Sequence, residues 1–143
     1  MIVGFHFTKL LVERHQPIQG KVNVRNDLTI KDVKEQPLTG VKGSHKTVSF
    51  QFAFTVSYAP KIADIILVGD VYYSAEPKKT GEILATWKSK KKVSADVSLE
   101  ILNYALQRCN IRALEMAQEL NLPTHIPMPR VNLQQKTADA YIG

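Results

Sequence analysis

A chain of 143 residues with 44% apolar and 22% charged side chains has the make-up of one globular domain, outside the disordered and fibrous classes. Its single cysteine, Cys109, excludes an internal disulfide and the common cysteine-rich zinc sites. A formal charge of +6 permits attraction to nucleic acid, anionic surfaces or acidic proteins without selecting among them.

The chain opens on strand-like sequence, without the basic, apolar and small-residue segments of a secretion signal. From Ile2 to His15 the alternation is imperfect: Val3, Phe5, Phe7 and Leu11 share one parity, and His6, Thr8, Leu10, Val12 and Arg14 the other. After the turn Gln16–Gly20, Val22, Val24, Leu28 and Ile30 oppose Asn23, Arg25, Asp27, Thr29 and Lys31, the pattern of a strand with one wet face. A loop is expected from about Glu35 to Lys46, with Pro37, Gly40 and Gly43.

The clearest segment follows. Val48, Phe50, Phe52, Phe54, Val56 and Tyr58 point one way, and Thr47, Ser49, Gln51, Ala53, Thr55 and Ser57 the other. Ala59-Pro60-Lys61 connects to Ile62–Tyr73, apolar at both parities as in a strand covered on two sides. That stretch is interrupted by Asp64, Gly69 and Asp70, well short of the ~20 residues of a spanning helix.

A short helix is expected after Glu76-Pro77, with Thr80 as cap and Ile83, Leu84 and Trp87 as its apolar stripe. Ser94 caps a longer one that runs to about Leu120 on Val97, Ile101, Leu102, Ala105, Leu106, Cys109, Ala113, Met116 and Ala117. Asn121-Leu122-Pro123 ends it, and Pro123, Pro127 and Pro129 hold the chain extended while Leu122, Ile126, Met128 and Val131 remain able to pack. The expectation is one α+β domain over residues 1–133, a four-stranded antiparallel sheet followed by two helices, with a disordered tail over 134–143.

Catalytic signals are missing. His6, His15, His45 and His125 show no paired-ligand spacing, and His6 and His15 have opposite parity. Asp64 and Asp70 lie roughly 20 Å apart along a strand, too far for joint acid and base work. Cys109 falls on the apolar helix face as a core thiol. No enzyme, cofactor or metal is expected, and the location expected is the cytoplasm.

The aromatic row Phe50, Phe52, Phe54 and Tyr58 has two readings. It is the sheet face on which the long helix packs, or part of it, with Tyr72, Tyr73 and Trp87, lines a groove or subunit contact. The runs Lys78-Lys79 and Lys88-Ser89-Lys90-Lys91-Lys92 are solvated faces or, alternatively, a dock for RNA or a ribonucleoprotein.

The order of elements resembles the SecB family of export chaperones. Val24-Arg25-Asn26-Asp27-Leu28, the alternating Val48–Tyr58, Ile66-Leu67-Val68-Gly69-Asp70-Val71-Tyr72 and Leu122–Asn132 carry the likeness across about residues 2 to 133. The resemblance implies a SecB-like fold, self-association into a homo-oligomer, and apolar grooves that hold unfolded or extended polypeptides. It carries Phe50, Phe52 and Phe54 over as groove positions, to which Tyr72 is added as a groove or interface residue. The chain departs from SecB proteins, which are acidic, in its charge of +6, and it lacks their cysteine-histidine tail segment. Cys109-Asn110-Ile111 and Leu120-Asn121-Leu122-Pro123 also resemble phrases in archaeal proteins.

Overall fold

The computed structural model describes residues 1–37 and 45–132. The glycines of the expected loop, Gly40 and Gly43, and the expected tail lie outside them. Strands β1 (Ile2–Arg14), β2 (Asn23–Glu35), β3 (Lys46–Ala59) and β4 (Ala63–Ala75) precede helices α1 (Pro77–Lys90) and α2 (Ala95–Glu119). The strands form one antiparallel sheet in the order β1-β4-β3-β2, so β1 and β2 are its edges.

Both helices lie on one face. The row Val48, Phe50, Phe52, Phe54, Val56 and Tyr58 meets Ile65, Leu67, Val71 and Tyr73 of β4 beneath Ile83 of α1 and Val97, Ile101, Ala105, Cys109, Ala113 and Ala117 of α2. Small residues along that line of α2 let the helix approach the sheet closely, while the phenylalanines fill the space below. Each fully buried phenylalanine contributes about 1.5–3 kcal/mol relative to an exposed one.

Two of the register shifts explain the imperfect alternations. In β1 the pairing passes from Phe7↔Gly69 to Lys9↔Val68, so the extra residue Thr8 resets the parity. Phe5 and Phe7 before it and Leu10 and Val12 after it thereby face the helices together. In β2 a shift between Ile30 and Asp32 returns Val33 to the core opposite Phe50. Gly69 makes room at the first bulge: a Cβ there would lie 2.4 Å from the His6 carbonyl oxygen and 2.8 Å from the Phe52 ring.

Thr80 is not the cap of α1. Pro77, whose fixed φ suits the first helical position, starts the helix one turn earlier, and Thr80 is buried with its hydroxyl donating to the Pro77 carbonyl at 3.1 Å. Ser94 does stand at the cap of α2, although its side chain makes no capping hydrogen bond to the backbone. Asn121, at φ 54°, turns the chain after Leu120. The following segment is clasped by polar contacts from three strands and α2. Tyr58 Oη donates to the Pro123 carbonyl (2.7 Å), Arg14 to that of Leu120 (3.1 Å) and Asn26 to that of His125 (3.0 Å). The buried His125 ring bonds through Nε2 to Asn110 Oδ1 (2.8 Å) and meets Phe54 edge-on. Leu122 is buried, whereas Met128 and Val131 are exposed. No helix among the described residues is long and apolar enough to cross a membrane.

Candidate functional site

Phe50, Phe52 and Phe54 are at most 1% exposed. Phe50 packs edge-on to Tyr73, Phe52 stacks on Phe5 at 5.3 Å, and Phe54 meets His125. The reading of this row as a groove lining is therefore corrected in favour of its alternative, the sheet face on which the helices pack. The physical reason is parity: all three share the face that α1 and α2 cover. Tyr72 lies on the opposite, open face of the sheet and is half-buried, with its ring packed over Gly4 and 5.4 Å from His6. Loss of hydration, followed by the nearby Asp70 carboxylate, raises the Tyr72 pKa.

His6 and His15 share that open face, contrary to their parity in the sequence, because the bulge at Thr8 shifts everything after it by one residue. Each meets an aspartate of β4, His6 Nε2 with Asp70 at 3.2 Å and His15 Nε2 with Asp64 at 3.0 Å. These aspartates sit on the interior strand β4, with the half-buried Ile66 and Val68 between them. No group of three or more metal-ligating side chains forms among the described residues.

The lysines divide between the two ends of α1, roughly 20 Å apart for a helix of this length. Lys78 and Lys79 open it, and Lys79 sits 3.9 Å from Asp96 and over the Tyr73 ring. Lys88 and Lys90 lie in the last turn, where cations complement the helix dipole. Lys91 is the left-handed cap and lies over Trp87 at 5.4 Å, with Lys92 exposed beside it.

A surface that the sequence does not single out lies along β1. Among the described residues its outer edge pairs with no other strand, and over 13 residues it carries few charges, of which only Lys9 is central. β2, the other edge, is studded with Arg25, Asp27, Lys31, Asp32, Lys34 and Glu35, the charges by which an exposed edge resists further pairing. Beside β1 runs a groove of about 290 Å³ between strand and α2, lined by Phe7, Leu10, Arg108, Ile111 and Arg112. Leu10 is 41% and Ile111 56% exposed. Free backbone donors and acceptors along a strand, next to an apolar floor, are what an extended polypeptide needs. Further along α2, Leu99 and Leu106 are exposed and share a helix face.

No known family model matches the sequence, and no curated protein matches it. Among solved structures the fold is similar to a Mycobacterium tuberculosis SecB-like chaperone in complex with a ChAD peptide from the HigA1 antitoxin. The TM-score is 0.52 at 11% identity, over 91% of this chain and 89% of the other. At that identity the likeness establishes the fold, a four-stranded antiparallel sheet followed by two helices. Nothing matched supports the archaeal likeness.

Proposed function

We propose that this SecB-like fold serves as a non-catalytic holder of unfolded or extended polypeptides, which add to the free edge of β1 and set apolar side chains in the groove against α2. The observation that carries the reading is the coincidence of an unpaired, charge-poor edge strand with a groove floored by Phe7, Leu10 and Ile111. Main-chain pairing supplies affinity irrespective of sequence, and the pocket supplies a preference for apolar side chains at alternate positions. The peptide held by the structurally similar chaperone supports the same class of ligand. Self-association, the other property the fold implies, would use the exposed Leu99 and Leu106 face of α2.

The test is fluorescence anisotropy of a labelled, permanently unfolded polypeptide, repeated with a short extended peptide and with its analogue N-methylated at alternate backbone nitrogens. The expected result is binding of the first two that persists at high salt and is lost on N-methylation. Leu10→Lys and Ile111→Lys, both at exposed positions and checked for native circular dichroism, are expected to weaken it roughly tenfold, the loss of about one buried side-chain contact. Unchanged binding by the methylated peptide would exclude strand addition.

A further inference from the structure

The groove that the proposed function uses has a wall formed by two arginines of α2. The Arg108 guanidinium lies over the rings of Phe5 (5.2 Å) and Tyr104 (5.7 Å), and no carboxylate pairs with it among the described residues. Contact with these two rings, which are tilted 60° to each other, fixes the position of the guanidinium beside the groove. Arg112, one turn on, pairs with Glu115 at 2.7 Å through a single nitrogen and keeps its remaining donors. Lys9 lies on the same edge from the other face of the sheet. The groove thus sets two arginines against one carboxylate beside an apolar floor.

From this arrangement we infer the client class: extended segments in which an apolar side chain is followed two residues later by aspartate or glutamate. In a strand added to β1, residues two apart fall on one face about 7 Å from each other. An apolar side chain seated at Leu10 and Ile111 therefore places a neighbouring carboxylate alongside Arg108 or Arg112, where a bidentate, charge-assisted bond forms. The inference rests on the holding function proposed above and adds its selectivity.

The experiment compares three labelled peptides of one alternating apolar framework, with glutamate, glutamine or lysine at the i+2 positions, on the full chain at low and high salt. The glutamate peptide is expected to bind roughly three- to tenfold more tightly than the glutamine peptide at low salt, with the lysine peptide weakest, as expected of partly exposed ion pairs. That preference should shrink as salt rises. Arg108→Gln is expected to abolish the difference between the glutamate and glutamine peptides, and Arg108→Lys to retain part of it. Equal affinities for all three peptides would overturn the selectivity while the holding function stands. Absence of binding by any of them, with the chain folded, would overturn both. Displacement of the glutamate peptide by a single-stranded RNA at low salt would reassign the arginines to phosphate and overturn the client class.

Discussion

At the residue scale, the contacts with most at stake are the buried polar ones that clasp the segment after α2. His125 is 5% exposed, and its loss of hydration lowers its pKa from the ordinary 6.5. The unfolded chain accordingly takes up the proton first. Stability from this site is complete above about pH 6.5 and falls with pH until the folded pKa is passed. Urea midpoints are expected to drop more steeply between about pH 7 and pH 5 in the native chain than in His125→Gln. Tyr58 donates to the Pro123 carbonyl, and burial pushes its pKa up to about 12. Tyr58→Phe leaves that carbonyl without its partner and should cost about 1–2 kcal/mol in equilibrium unfolding. Cys109 is fully buried, with its thiol pKa pushed up to about 12 by the same loss of hydration. A thiol so far from ionisation should react with alkylating reagents only as fast as the chain unfolds, and prompt labelling of the native protein would contradict its place in the core.

At the scale of elements, the bulge in β1 decides which side chains face which way, and Gly69 is what the bulge requires. Gly69→Ala sets a methyl group against the His6 backbone and the Phe52 ring, and a fall of about 2 kcal/mol or more is expected in chemical denaturation. The same bulge marks where reading the sequence fails. A strand without interruption, such as β3, displays its faces by parity alone, and its inward row was legible down to Tyr58. In β1 one inserted residue exchanges the faces halfway along, which no local pattern announces, so His6 and His15 came to share a face against expectation. The helices were legible because their apolar stripes were long. Thr80 misled because a proline at the first helical position outweighs a hydroxyl three residues later. The groove was hidden for a different reason. Which strand ends a sheet depends on pairings between distant segments, and neither Arg108 nor Ile111 is distinguished until α2 is laid beside β1.

For the whole molecule, the proposed self-association rests on the exposed leucines of α2. The chain is expected to sediment as more than a monomer, and Leu99→Glu with Leu106→Glu to return it to monomer. Because that face lies away from the β1 groove, peptide affinity per chain should survive the change. The lysines at the ends of α1 test the alternative reading: Lys90→Glu with Lys92→Glu should leave polypeptide holding intact. A loss of RNA affinity in this variant, with a correspondingly shallower salt dependence, would bring that reading forward.

The order of strands also sets a timetable for synthesis. Of the four strands β1 leaves the ribosome first, yet among the described residues it pairs only with β4, with Thr8 and Val68 in contact across 60 residues of chain. At about 5–20 residues per second, β1 waits roughly 3–12 seconds before either of its edges is satisfied. Throughout that interval Phe5, Phe7, Leu10, Leu11 and Val12 travel as an unpaired apolar strand, so the nascent chain presents, at both edges, the feature that its finished form keeps at one.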